Sequence, residues 1–306
     1  MSPTYRVKAP AKINLHLRVG PPTADGFHPL LSWMVTVGLF DNLEFTLVDL
    51  PGVALACDDP KIPCDETNLI AKAASALLEM AHSSAETTRK VRGVAAALHK
   101  QIPVGAGLGG GSSDGAFTLV ALNHLLGLNW SAQRLGEIAA RFGSDLSFFL
   151  HGSSSICTGR GEIVRPIATP RPRYVVLISP VIHMATPAVY RQFDAMRLGD
   201  PAALQNAPDW QKWSTLDSLE LLPLLVNDLE APAFALSPQL VELHQSAAKI
   251  AGRIVRMSGS GSSLFTLFDD LIEAEKSADQ LRLNLGVTVR AVELCPEINH
   301  ATDVAR

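Results

Sequence analysis

Apolar and polar residues alternate near the start of the chain. Ile13, Leu15, Leu17 and Val19 interleave with Lys12, Asn14, His16 and Arg18. A period of two predicts a strand with the aliphatic residues on one face and Lys12, Asn14 and His16 on the other. Pro21-Pro22 and Asp25-Gly26 mark a loop. Leu30–Val48 is mostly apolar and predicts strands, with Asp41-Asn42 as a turn. Residues 68–80, rich in alanine and leucine, predict a helix, and the polar residues 83–92 a connection. Beyond residue 111 the spacing becomes helical, through Ala116, Leu119, Val120, Asn123 and Leu126. Ser112 or Ser113 is positioned to cap this helix, and Gly127 to end it. A second helix is expected over 132–142 with Ser131 as its cap. Gly143-Ser144-Asp145 then opens a short segment over 146–150.

Pro166, Pro170 and Pro172 cluster among polar and arginine residues and mark the best boundary between domains. A chain of 306 residues exceeds what one core usually serves, so two domains are expected, 1–165 and 166–306. In the second, 174–178 reads as a strand and 195–213 as irregular. Strands over 253–255 and 264–268 flank a second glycine-rich loop, Met257-Ser258-Gly259-Ser260-Gly261. No internal repeat is visible. Strands and helices mix without strict alternation, which predicts an α+β fold.

Composition narrows the function by exclusion. A net charge of −4 gives no electrostatic case for nucleic acid or an anionic membrane surface. No run reaches the length of a membrane span, and residues 1–15 lack the apolar core of a signal peptide. Cys57, Cys64, Cys157 and Cys295 lack metal-ligand spacing and read as free thiols in a reducing cytoplasm.

The most informative stretch is Pro103-Val104-Gly105-Ala106-Gly107-Leu108-Gly109-Gly110-Gly111-Ser112-Ser113-Asp114-Gly115. Glycines at this density forfeit packing and backbone entropy, which a fold tolerates where something must approach the backbone closely. Gly105, Gly107 and Gly110 match the dinucleotide-binding spacing, but no Asp or Glu lies between Gly115 and Gly136 to hold a ribose. Gly111 to Gly115 matches a nucleophile elbow, but a glycine-rich segment stands where a buried strand must enter the turn. The third reading is a phosphate cradle: glycines present backbone N–H groups to an anion, and a helix N-terminus adds its dipole. Among possible partners in catalysis, Lys12 could equally be a solvated lysine and Asp145 a simple helix cap.

Three segments in this order resemble the GHMP kinases, the superfamily of galactokinase, homoserine kinase, mevalonate kinase and phosphomevalonate kinase. They are Ala9-Pro10-Ala11-Lys12-Ile13-Asn14-Leu15, the run from Pro103 to Ser113, and Met257 to Gly261. The resemblance spans nearly the whole chain. It implies a two-domain α+β fold with the active site in the cleft between domains. The triple glycine before Ser112, and Ala24-Asp25-Gly26-Phe27-His28, resemble more narrowly those members that phosphorylate a small alcohol carrying a cytidine diphosphate group, in isoprenoid precursor synthesis. The implied roles are these. Residues Pro103, Val104, Gly105, Ala106, Gly107, Leu108, Gly109, Gly110, Gly111, Ser112 and Ser113 wrap the phosphates of ATP, accompanied by Mg2+ whose protein ligands stay unassigned. Asn68 lies near the adenosine. Lys12 and Asp145 form the catalytic pair. Phe27 and His28 hold the cytosine with Tyr190 stacking and Thr186 nearby, and Asn14 faces the alcohol end. The second glycine loop closes over the phosphates. A cytoplasmic monomer or homodimer with no nucleic-acid or membrane partner completes the expectation.

Three positions depart from the family pattern. Phe27 stands where tyrosine is usual, Ser147 where proline is usual, and Gly115 where alanine is common. The segment Gly143-Ser144-Asp145-Leu146-Ser147-Phe148-Phe149 stands where relatives carry Gly-Ala-Asp-Val-Pro-Phe-Phe or similar. Another small-alcohol kinase of the superfamily, such as a homoserine kinase, and a nucleotide-binding protein without turnover are the alternatives.

Overall fold

The alternating start forms β1 (Thr4–Val19), which pairs antiparallel along its length with β2 (Leu30–Val48). The computed structural model describes residues 4–83 and 93–297, so most of the predicted 83–92 connection lies outside the described residues. Register shifts between Pro10 and Ala11 and between Asn14 and His16 bulge β1, and a bulge re-aims the side chains that follow it. Tyr5, Val7 and Ala9 therefore join one apolar core, Ala11, Ile13 and Leu15 a second, and Leu17 and Val19 a third. His16 leaves the company that period two assigned it. It lies edge-on to Trp210 and Trp213, and burial, aided by Arg18 and Arg256, pushes its imidazole down to about 4.

β2 runs unbroken through Asp41-Asn42, where a turn was expected. Asp41 is fully buried and pairs with Ala9 across the ladder. Its carboxylate accepts from the backbone N–H groups of Gln101 and Ile102 and from Lys100. A polar pair inside an apolar run thus reads as a turn but is a buried anchor.

The chain continues through β3 (Gly52–Cys57), α1 (Leu69–Ser83) and β4 (Gly93–His99). After the glycine run come α2 (Gly110–Leu125), α3 (Ala132–Ala139) and α4 (Ser144–Phe149), then β5 (Ser154–Gly159) and β6 (Ile163–Pro166). Ser131 caps α3 by accepting from Arg134 N–H, as its sequence position suggests. These strands form one sheet, ordered β3-β4-β2-β5-β6, with β1 also paired to β2. All pairs are antiparallel except β3 with β4.

The chain passes Pro166, Pro170 and Pro172 and enters a second sheet with β7 (Tyr174–Ser179). There follow α5 (Thr186–Ala195), α6 (Pro201–Gln205), α7 (Trp210–Thr215), α8 (Ser218–Leu221), α9 (Glu230–Leu236) and α10 (Pro238–Ala251). β8 (Arg256–Met257), β9 (Leu264–Phe268), α11 (Leu271–Leu285) and β10 (Thr288–Glu293) complete it. The order is β10-β7-β9-β8, antiparallel throughout. The 195–213 stretch is not irregular: α6 and α7 occupy it, capped by Asp200 and Asp209. Helices this short show no readable period, and their caps are their only signal. The strand expected over 253–255 sits later, at Arg256–Met257.

Gly115 of α2 and Leu146 of α4 fit closely against each other. A Cβ at Gly115 would stand 3.1 Å from Leu146 Cδ2. The smaller residue at 115 admits the larger one at 146, and the contact holds the start of α4 against α2. Gly115→Ala adds helix propensity but overpacks Leu146. In a double-mutant cycle by chemical denaturation, Gly115→Ala with Leu146→Val is expected to be more stable than the sum of the single changes by about 1 kcal/mol.

Candidate active site

A cavity of about 460 Å³ is lined by the first sheet, the glycine run, α5 and the second glycine loop, among them Lys12, Asn14, Asp145, Thr186, Tyr190 and Gly259. The bulged middle of β1 delivers Lys12 to it. The Lys12 side chain is only 6% exposed, and its ammonium lies 3.5 Å from the Asp145 carboxylate. It also donates to Asn14 Oδ1 at 2.7 Å. Asn14 Nδ2 in turn donates to Ser32 Oγ, and Ser32 to the carbonyl of His16. Each polar group in this line is satisfied, as burial demands. Asp145 sits in the first turn of α4, whose N-cap is Gly143 with no side-chain cap bond. Its carboxylate is therefore not a helix cap. It faces Lys12, and its charge reaches two buried neighbours. Burial together with Asp145 pushes the Tyr190 phenol up to about 12. Burial, with Asp145 opposed by Lys12, pushes the Cys157 thiol up to about 12.

The glycine run borders the cavity from Pro103 through Ser112. Three successive carbonyls are taken by protein donors: Ala106 by Ser263 N–H, Gly107 by Ser258 Oγ, Leu108 by Lys12 N–H. Carbonyl oxygens repel anions, so tying them to the protein favours a loop that offers N–H groups. The helix cap is Gly109, at φ 68°, rather than Ser112 or Ser113. This leaves the N–H groups of Gly110, Gly111 and Ser112 at the opening turn of α2, where no preceding turn can accept them. Ser113 stands one position further into the helix. Its N–H bonds Gly109 O, its side chain is buried, and it is absent from the cavity wall.

The second glycine loop interlocks with the first. Ser258 Oγ accepts from Asn14 N–H while donating to Gly107. Ser260 Oγ meets Thr186 Oγ1 at 2.8 Å. Asn227, unremarkable in sequence, is buried and donates to the carbonyls of Met257 and Gly259.

The remaining expected residues divide. Asn68 borders the cavity, but its side chain accepts from Ile70 N–H and donates to Pro63 O, so it also caps α1. His28 is buried behind the wall, its Nδ1–H donating to Gly20 O and its ring 5.1 Å from that of Tyr190. Phe27 is 53% exposed and outside the wall. Arg160, itself paired with Asp25, lies 3.9 Å over its ring. The structure thus brings Tyr190 and His28 together and leaves Phe27 apart from both. Asp41, Lys100 and Asp114 escaped the sequence reading. Lys100 and Asp114 line the cavity, and the Lys100 ammonium joins both carboxylates.

The N-terminal and C-terminal GHMP kinase family domains match residues 68–153 and 202–286. The chain belongs to the GHMP kinases. Within them it groups with the 4-diphosphocytidyl-2-C-methyl-D-erythritol kinases. It is 36% identical to the one from a Geobacter species over 284 residues, covering 93% of this chain and 96% of that one. It is 38% identical to the Synechococcus enzyme over 294 residues, covering 91% and 92%. A crystal structure of 4-(cytidine 5'-diphospho)-2C-methyl-D-erythritol kinase superimposes with a TM-score of 0.76 at 33% identity, covering 95% of this chain and all of that one. Leishmania major mevalonate kinase shares the fold, with a TM-score of 0.67 at 14% identity and coverage of 96% and 97%.

The interlocked loops generate a prediction. A Cβ at Gly107, where φ is 77°, would stand 2.3 Å from Ser258 O, and both are backbone constraints. At Gly111 the nearest atom is a Leu69 methyl at 3.8 Å. Gly107→Ala is expected to destabilise the chain by about 2 kcal/mol or more. Gly111→Ala is expected to stay within about 1 kcal/mol of the parent, both read by denaturant unfolding.

Proposed function

We propose that this protein phosphorylates the 2-hydroxyl of 4-diphosphocytidyl-2-C-methyl-D-erythritol with ATP, in the non-mevalonate synthesis of isoprenoid precursors. The observation that carries the reading is the Lys12–Asp145 pair, set opposite a glycine-rich helix start within one cavity.

Phosphoryl transfer asks mainly for positioning and charge stabilisation. The N–H groups of residues 105–112 and the dipole of α2 hold the ATP phosphates, with Asn68 and Pro103 beside the nucleoside. Lys12 stabilises the charge that develops on the transferring group. Asp145 orients the acceptor hydroxyl and takes its proton as transfer proceeds. Asn14 holds Lys12 in place and meets the alcohol end. Tyr190 stacks on the cytosine, His28 supplies a polar edge, and Thr186 borders the diphosphate. Phe27 adds a second ring once it exchanges Arg160 for the base. Mg2+ fits this site as a companion of the nucleotide. No cluster of three or more His, Cys, Asp or Glu among the described residues could cage a metal, and Mg2+ is ordinarily held by phosphates with one or two carboxylates. When bound, it neutralises phosphate charge. No helix among the described residues is long and apolar enough to cross a membrane, and the free cysteines suit a cytoplasmic enzyme.

The alternative is another GHMP small-alcohol kinase. The Asp25-Gly26-Phe27-His28 loop and the contact between His28 and Tyr190 favour the cytidylated substrate. A coupled ADP-release assay with purified protein decides between them. The expected result is turnover of the cytidylated alcohol with kcat/KM at least about 100-fold above its uridine counterpart, because cytosine and uracil reverse donor and acceptor at one edge. Homoserine is expected to be inert. Efficient phosphorylation of homoserine with neglect of the cytidylated alcohol contradicts the proposal.

A further inference from the structure

Beneath the phosphate loop, two carboxylates share one ammonium. Lys100 projects from the segment after β4 and donates to Asp41 of β2 and, at 3.0 Å, to Asp114 in the first turns of α2. The three side chains are 7%, 0% and 5% exposed. A Cβ at Gly110 would stand 3.2 Å from the Lys100 ammonium, so the cluster lies against the corner where the loop becomes helix.

The two carboxylates are not equivalent. Asp41 accepts from three donors, Lys100 and two backbone N–H groups. Asp114 accepts from Lys100 alone, through Oδ2, and its buried Oδ1 has no hydrogen-bond partner. With all three groups charged, the set carries one net negative charge. Lys100 and Asp114 line the cavity. A net negative charge there opposes the anion that the adjoining helix start is shaped to receive.

One proton on Asp114 removes this conflict and leaves Asp41 and Lys100 as a neutral pair. We infer that Asp114 is a positioning residue of the nucleotide site that works in its protonated form: binding of the nucleotide's phosphates draws a proton from solvent onto the Asp114 carboxyl. Burial pushes Asp114 up to about 7 in the free protein, Lys100 pulling it down and Asp41 pushing it up. The other elements packed on α2 leave it to these two groups. α1, α3 and α4 meet the helix in an apolar core through Ile70, Leu77, Leu135 and Leu146. Lys12 of β1 and Asp145 of α4 pair with each other at the same helix end, and His124 stacks on Tyr5 in the last turn.

The inference rests on ATP binding at the glycine run, and the experiment separates the two. Calorimetric titration with an unreactive β,γ-imido ATP analogue and Mg2+, in buffers of different ionisation enthalpy, counts protons exchanged on binding. The full-length parent is compared with Asp114→Asn, which keeps the shape and loses the titration. At about pH 8 the parent is expected to take up more protons than the variant, approaching one per nucleotide, and at about pH 5.5 the difference vanishes. Linkage then weakens parent affinity toward tenfold per pH unit above about pH 8, a slope the variant lacks. Equal proton counts in parent and variant at pH 8 overturn the inference while leaving the kinase reading intact. Absence of any nucleotide binding by the parent overturns both. If Asp114→Asn does not fold, infrared difference spectra of the parent serve instead. Gain of a protonated-carboxyl band on nucleotide binding supports the proposal, and its absence overturns it.

Discussion

Burying the Lys12 ammonium constrains more of this structure than any other single interaction. A charge removed from water and left unpaired is strongly destabilising. Here the charge sits on a strand covered on both faces, with Asn14 and Asp145 as its partners. Asn14 shares β1 with Lys12, and its own amide is held by Ser32 across the ladder. Asp145 comes from a distant helix, placed by the close fit of Leu146 into the space at Gly115. The register of β1 on β2, the packing of α4 on α2 and the position of the charge are therefore one requirement.

The same strand ties the two glycine loops together. Lys12 N–H bonds the first loop at Leu108, and Asn14 N–H meets Ser258 of the second. Ser258 closes the circuit by donating to Gly107. A displacement of β1 would disturb both loops and the Lys12–Asp145 pair at once. In the proposed reaction this coupling is useful, because charge stabilisation of a phosphoryl group depends on donors already in position. The neighbouring Asp41–Lys100–Asp114 cluster anchors the far side of the first loop, with Asp41 fixed to β2.

The mixed fold, the helix after the glycine run and the cap at Ser131 were legible in the sequence because each has a local signal. The Lys12–Asp145 pair was legible only through resemblance, since its members lie 133 positions apart and the contact prints no pattern in the chain. His16 was misplaced because a bulge breaks period two without changing composition. Asp41 was misread because a buried acid stabilised from another segment resembles a turn residue in one dimension. The cover of Arg160 over Phe27 was not legible, because it is a contact between distant segments that no spacing reveals. Asn227 and Lys100 carried no signal at all, their importance arising only from what the fold brings to them.

The central claim is that Lys12 and Asp145 act as one catalytic unit. Its most direct test is pre-steady-state phosphoryl transfer by Lys12→Met, Asp145→Asn and the double variant, with nucleotide affinity measured on each. Groups that act together are expected to be strongly non-additive. Each single change should lower the transfer rate by at least about 100-fold, comparable to losing one preorganised stabilising group. The double variant should be no slower than the worse single one, with nucleotide affinity within a few-fold of the parent. Transfer by Asp145→Asn within a few-fold of the parent, or fully multiplicative losses in the double variant, would contradict the account.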